Sequence, residues 1–378
     1  MLERDRSGLD LRLVTKSFGA HRALEGITIA VRPGEIVAIT GPSGAGKTTI
    51  GRIIAGVEHA DSGEVRLDGR SIGNLAPQAR KVAMMFESYA LYPHLTVREN
   101  LLFPLGAPGR RIDAGQADAA TRELLELVEM TDLAERHPSE LSGGQRQRVA
   151  LCRCLIQNPS VFVLDEPISH LDAKLRHKLR GEIRRRLAAR AVPTLWLTPD
   201  AVEGMAVGDR VGILIDGTLV QLGTPADIYG APANVAVARL VGDPPMNLLR
   251  GRLQQQNGAL LFRHPKLAIE LPEASRRSLE RTGGATPEGL DEIVLGVRPA
   301  QIELGSSLGD PGTAAAEVYA VEPFGKYVLV TVTLGEERIR IKTPEKIDCK
   351  PGERLAVRVP PDRLILFDPR TGQALGHS

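Results

Sequence analysis

Three short apolar runs organise the first part of the chain. Ile36-Val37-Ala38-Ile39, Val161-Phe162-Val163-Leu164 and Leu195-Trp196-Leu197 are continuous rather than alternating, as strands buried on both faces of a parallel sheet must be. Between them the period changes to that of helices. Ile50, Ile53 and Ile54 share one face, with Gly56 placed to end that helix. Leu124, Leu125, Leu127 and Val128 give a helical rhythm from Asp118 to Met130. After Leu197, "TPD" reads as a helix start, with Thr198 as N-cap and Pro199 at the first helical position, where its missing N–H is not needed.

Past "VGDPPMN" (241–247) the period falls to two. "RIRIK" (338–342) and "RLAVRV" (354–359) alternate, and "LGEE" and "KPGE" supply turns. The expected organisation is therefore an α/β domain over residues 1–238, then a small all-β domain, barrel or sandwich, over residues 239–378.

Composition narrows the function classes. The 378 residues are 42% hydrophobic and 25% charged, which excludes a disordered chain. A net charge of +2 gives no general case for nucleic acid, and the Lys- and Arg-dense stretch 172–190 reads as a solvated helix face. Cys152, Cys154 and Cys349 make neither a disulfide framework nor a zinc set; they read as small buried hydrophobes. The charged start "MLERDRSGLD" has no signal-peptide core, and no run reaches the roughly 20 apolar residues of a membrane span. The expectation is a cytoplasmic chain that meets a membrane only through a partner.

Chemistry enters with "GPSGAGKTT" (41–49), which fits G-x-x-x-x-G-K-[ST] between a strand and a helix. Gly41, Ser43, Gly44 and Gly46 let consecutive backbone N–H groups close around phosphates at the helix N-terminus, ahead of Thr48 and Thr49. Lys47 would reach the β- and γ-phosphates of ATP, and the Thr48 hydroxyl would hold Mg²⁺. In "VLDEP" (163–167), Asp165 would contact the Mg²⁺ shell and Glu166 would polarise the attacking water.

"LSGGQRQRVA" (141–150) resembles the signature of ABC-type ATPases, the motors of membrane transporters. Phe18 in "KSFGAHRAL" matches that family's adenine-stacking aromatic, "MMFESYALYPHLTVREN" (84–100) its Q-loop region, and "SHLDA" (169–173), with Asp172, its D-loop. "GTPADIYGAPAN", "GVRPAQI" and "VEPFGKYVLVTV" resemble the carbohydrate-importer branch, of maltose and glycerol-phosphate type. The resemblance implies a P-loop NTPase with a RecA-like core, an ABC β-subdomain and a helical subdomain at about 88–158, followed by an OB-like regulatory domain. It implies two ATPase domains packed head to tail, so that Ser142, Gly143, Gly144 and Gln145 face the γ-phosphate held by a second ATPase chain. It also implies that Tyr89 to His94 contact two transmembrane permease subunits, which take solute from an extracytoplasmic solute-binding protein. The implied place is the cytoplasmic face of a bacterial inner membrane, with no nucleic acid involved.

Two positions depart from that pattern. Where the family has the Q-loop glutamine this chain has Glu87, which can still bind the metal but, ionised, donates no hydrogen bond. Where the family reads Thr-His-Asp, with the histidine bonding the γ-phosphate, this chain has Thr198-Pro199-Asp200. Both departures serve the chain's own phosphate loop, while the signature is intact. The expectation is an importer ATPase whose own site is impaired and whose signature serves a partner, a distinct paralogue being favoured over an identical copy. The alternative is a nucleotide-binding clamp that hydrolyses little.

Overall fold

The structure, a computed structural model, describes residues 8–106, 113–281, 292–305, 311–344 and 347–377. The chain divides into two compact units, Met1–Pro225 and Ala226–Ser378. In the first, β1 (Leu9–Phe18) and β2 (His21–Val31) form a hairpin, and β3 (Ile36–Thr40) leads into helix α1 (Lys47–Ala55). Then come β4 (Ser62–Leu67), β5 (Arg70–Ser71), β6 (Val82–Met85) and the helices α2 (Val97–Leu102), α3 (Ala114–Leu127) and α4 (Gly143–Leu155). The unit finishes with β7 (Val161–Asp165), α5 (Ala173–Ala189), β8 (Thr194–Thr198), α6 (Ala201–Val207), β9 (Arg210–Ile215) and β10 (Thr218–Gly223).

One sheet, ordered β10-β9-β3-β8-β7-β6, is parallel except for the β9–β10 hairpin; a second, β2-β1-β4-β5, is antiparallel. Every residue of β3, β7 and β8 is buried, which is why their sequences carry no polar alternation. Thr40 pairs with Thr198 and Asp165 with Leu197, so β3, β7 and β8 end at one edge. In an open α/β sheet that edge is where ligands bind.

Helix α1 is secured at its far end. Gly56 takes the left-handed conformation at φ 79° and closes the last turn. The buried Arg80 guanidinium donates to the carbonyls of Ile53 and Ile54. Helix α5 carries four of its cations on carboxylates: Arg185 and Arg186 meet Glu182, Arg186 also meets Glu123, Lys178 meets Glu129 and Arg184 meets Asp209. The basic run is thus ion-paired in part, toward its C-terminal half.

Two local expectations are corrected. The helix expected at 118–130 spans Ala114–Leu127, because the Asp113 carboxylate caps it by accepting from the N–H groups of Gly115 and Gln116. Thr198 is not an N-cap, and Pro199 is not the first helical residue. Thr198 stays in β8, and Asp200 caps α6 by accepting from Val202 and Glu203. An aspartate with two N–H groups in reach outcompetes a threonine held in strand register. Pro199 therefore sits in the link between strand and cap.

The second unit opens with α7 (Pro225–Gly230) and α8 (Val235–Leu240). Strands β11 (Asn247–Gln256), β12 (Ala259–His264) and β13 (Leu267–Glu270) follow, then α9 (Glu273–Arg281), β14 (Ile293–Val297), β15 (Glu303–Leu304) and β16 (Thr313–Pro323). The last are β17 (Val328–Leu334), β18 (Glu337–Thr343), β19 (Arg354–Arg358), β20 (Ile365–Phe367) and β21 (Ala374–His377). They build two sheets, β13-β12-β11-β14-β20-β21 and β15-β19-β16-β17-β18, that share a core including Phe262, Leu295, Val330 and Ile341. In "RIRIK" the isoleucines are buried and Arg338 and Arg340 are exposed, as the period of two requires.

Arg298 ties the short helices to this β-unit. Its buried guanidinium donates to the carbonyls of Tyr229, Ala238 and Val241 and lies 4.1 Å from the Tyr229 ring centroid. Burial pushes its pKa down to about 10. Arg298→Ala is expected to destabilise the second unit by about 3 kcal/mol, since it strands buried carbonyls. Denaturant unfolding followed in that unit checks this, and a loss under about 1 kcal/mol would show the carbonyls find other partners.

Candidate functional site

The phosphate loop joins β3 to α1. A Cβ on Gly41 would collide with the Leu214 carbonyl, and one on Gly46 would lie 2.5 Å from the Ala23 carbonyl. Gly46, at φ 105°, is the N-cap of α1 and offers no side chain to its orphan N–H groups, and the first turn holds no acidic residue. Pro42, Ser43 and Gly44 form the exposed tip. Those free N–H groups and the helix dipole favour an anion.

Lys47 is buried and donates to the carbonyls of Gly41 and Pro42, at 2.8 Å each. Burial pulls its pKa down, against the upward pull of Glu166, Asp165 and Glu87. Asp165 is 1% exposed, and its Oδ2 has no hydrogen-bond partner. Burial, with the charges of Glu87 and Glu166, raises its pKa to about 6 despite the Thr48 hydroxyl and Lys47. A buried carboxylate oxygen without a partner, beside a hydroxyl, is a hard-oxygen donor set suited to Mg²⁺. Among the described residues no group of three His, Cys, Asp or Glu side chains gathers as a metal site.

Glu166 follows with φ 50°, a left-handed conformation costly for a residue with a side chain. Its peptide groups are gripped from both sides: its N–H donates to the Leu197 carbonyl at 2.9 Å, and its carbonyl accepts from Gln147 Nε2 at 2.7 Å. Gln147 also donates to Ser169 Oγ, and its Oε1 accepts from the N–H of His170. This buried glutamine was missed from sequence. Its signal is a polar residue on the face of α4 that buries Ala150 and Leu151, at i+3 and i+4.

Ser142 and Gln145 form a capping box at the start of α4, the Ser142 hydroxyl accepting from the Gln145 N–H and the Gln145 side chain from the Ser142 N–H. Gly143 is open, whereas a Cβ on Gly144 would stand 3.1 Å from the His170 carbonyl. Asp172 caps α5 through the Leu175 N–H. Thr49 lies in the first turn of α1, half-buried.

Phe18 is 47% exposed at the end of β1, with Lys16 Nζ 5.2 Å from its ring centroid, so it is not a core aromatic. Glu87 is exposed beyond β6, and its charge is felt at both Lys47 and Asp165. Tyr89 and Ala90 are left-handed, at φ 65° and 45°, and Arg153 donates to both of their carbonyls. Tyr92 packs 4.4 Å from the exposed Phe103 ring, beside the exposed Pro93 and His94. His170 Nδ1 is 2.9 Å from the Tyr89 hydroxyl.

The raised pKa of Asp165 yields a stability prediction with a defined sign. Below about pH 4 the carboxyl is protonated in both folded and unfolded chains and contributes nothing. Between about 4 and 6 only the unfolded form ionises, so stability falls as pH rises, and above 6 the penalty is complete at about 3 kcal/mol. Asp165→Asn is expected to raise the nucleotide-free melting temperature at pH 7.5 by several degrees and to change it little at pH 4. Equal shifts at both pH values would contradict it.

Comparison with known proteins agrees with this geometry. The chain matches the ABC transporter family over residues 24–169, the MalK OB fold domain over 242–302 and the TOBE domain over 295–367. It is 39% identical to the sulfoquinovosyl glycerol transport ATP-binding protein SmoE of Agrobacterium fabrum, covering 98% of this chain and 99% of that one. It is 38% identical to the sn-glycerol-3-phosphate import ATP-binding protein UgpC of Burkholderia thailandensis, covering 98% and 100%. Among solved structures, the dimeric structure of a bacterial ABC transporter cassette matches at a TM-score of 0.54 and 29% identity, covering 57% of this chain and 98% of that one. No helix among the described residues is long and apolar enough to cross a membrane. Phosphate loop, strand-end carboxylates, signature helix and OB-type tail together make the chain a member of the ABC transporter ATP-binding proteins, an ABC-type ATPase coupled to transport.

Proposed function

We propose that the chain is the ATP-binding and ATP-hydrolysing subunit of an importer for a sugar, polyol or related solute. It works at the cytoplasmic face of the membrane against two permease subunits, which an extracytoplasmic binding protein supplies. The observation that carries its ATP chemistry is the unpartnered, buried Oδ2 of Asp165 beside Lys47 and Thr48. The solute class is supported by relatives named for sulfoquinovosyl glycerol transport and glycerol phosphate import.

Lys47 binds the β- and γ-phosphates by exchanging its carbonyl partners for phosphate oxygens. Thr48 and Asp165, with Glu87, would hold Mg²⁺, which would supply charge neutralisation at the phosphate oxygens. Glu166, fixed by its gripped backbone, accepts a proton from the attacking water. Phe18 stacks on the adenine, and the exposed Pro93 and His94 beside the Tyr92–Phe103 ring pair face the permease.

The chain's own site is slow because Pro199 offers the γ-phosphate no donor and Glu87 adds negative charge. Ser142, Gly143 and Gly144 serve a partner's nucleotide, and the related solved cassette is dimeric. Glu87 and Pro199 favour a distinct paralogue as that partner, because an identical copy would make both sites slow.

ATP turnover by the purified chain tests this. Pro199→His is expected to raise it roughly 10- to 150-fold, the kinetic equivalent of one charge-assisted hydrogen bond, while Glu166→Gln abolishes it. An unchanged rate in Pro199→His would sink the slow-site assignment. Mixing Lys47→Ala with Ser142→Arg, each inactive alone, is expected to restore turnover in any dimer the chain forms with itself. Failure to complement in a demonstrated dimer would refute signature action across the interface.

A further inference from the structure

The "RIRIK" segment lines a cavity that transport does not account for. The cavity, about 670 Å³, lies wholly in the second unit, against the outer face of β16, β17 and β18. Arg239, Arg338 and Arg340 border it with one carboxylate, Glu322, leaving an excess of two positive charges. Among the described residues none of these guanidinium groups has a carboxylate within ion-pairing distance, in contrast to Arg185 and Arg186 of α5. The volume falls in the usual range for small-molecule sites, about 300–1,000 Å³.

The site is built rather than incidental. Tyr319 is the extra residue of a β-bulge, where the pairing steps from Val318–Val332 to Ala320–Thr331. A bulge re-aims a side chain; the Tyr319 ring is 52% exposed with the Arg338 guanidinium 3.7 Å from its centroid. The peptide of Arg340 is held at both ends by the buried Asn247 side chain, which accepts from the Arg340 N–H and donates to its carbonyl, both at 2.8 Å. Thr331 pairs with Arg340 across the strands. Leu248 and Leu329 supply apolar surface beside these polar groups.

We propose that this cavity binds a small organic phosphate or sulfonate. Arg338 and Arg340 take the anionic head in their planar forks, Glu322 accepts hydrogen bonds from ligand hydroxyls, and the Tyr319 ring with Leu248 and Leu329 covers the carbon skeleton. The binding needs no turnover at the phosphate loop, so it stands or falls separately from ATP hydrolysis.

The test is calorimetric titration of the full chain, with the phosphate loop first saturated by ADP and Mg²⁺. The probes are glycerol 3-phosphate, inorganic phosphate and uncharged glycerol. The expected result is one site for glycerol 3-phosphate, tighter than inorganic phosphate, and no binding of glycerol. Arg338→Ala with Arg340→Ala should weaken it about 100-fold. Arg263→Ala, in a second basic concavity where that arginine is already bonded to Gln254 and Gln256, should leave it unchanged. If the alanine pair does not fold, Arg338→Lys with Arg340→Lys keeps the charge, loses the fork, and should still weaken binding about 10-fold. No binding, equal affinity for inorganic phosphate, or a loss caused by Arg263→Ala instead would overturn the proposal.

Discussion

The buried carboxylate of Asp165 is the constraint around which the first unit is arranged. It ends a strand with no exposed residue, so it cannot turn to water, and one of its oxygens has no partner. The nearby cation is already engaged, since Lys47 satisfies two loop carbonyls. The site is therefore electrically strained: a carboxyl pushed toward neutrality, a lysine lowered by burial, and helix N–H groups without a side-chain cap. On the proposed function, a triphosphate with its cation would resolve all three mismatches together. Unsatisfied polarity of this kind costs stability and would favour a ligand carrying both charges.

Gln147 links that site to the signature helix. From one buried side chain it reaches the Glu166 carbonyl, the Ser169 hydroxyl and the His170 N–H. The same helix begins at Ser142, where the capping box leaves Gly143 uncovered. On the proposed function, any displacement of the helix N-terminus by a partner's nucleotide would act on the backbone of Glu166, which is already in a high-energy conformation. The hydrogen bonds of Gln147 thus make a short, continuous route between the start of the signature helix and Glu166.

Much of this was legible in the sequence, for local reasons. Continuous apolar runs allow only strands buried on both faces, and the phosphate loop states its own backbone chemistry in its glycines. The alternation in "RIRIK" fixed which side chains face outward. What stayed hidden is long-range or competitive. Arg80 reaches Ile53 across 27 residues and Arg298 reaches Val241 across 57, and nothing near either arginine marks it as buried. At Thr198 two good caps compete: register with Thr40 holds Thr198 in the strand and leaves the Asp200 carboxylate to cap the helix.

That correction bears on how Pro199 acts. A proline at the first helical position would be part of the helix and would position its turn. Placed between β8 and the Asp200 cap, it shapes only the link that leaves the strand. The link is already defined without it, because the Asp200 N–H bonds Thr198 Oγ1 and the Leu197 carbonyl holds the Glu166 N–H. Nothing in the surrounding hydrogen bonds calls for a residue lacking an N–H at 199. On the proposed function its effect is therefore concentrated in what its ring cannot donate at the edge where β3, β7 and β8 end, and a histidine there leaves α6 and its cap in place.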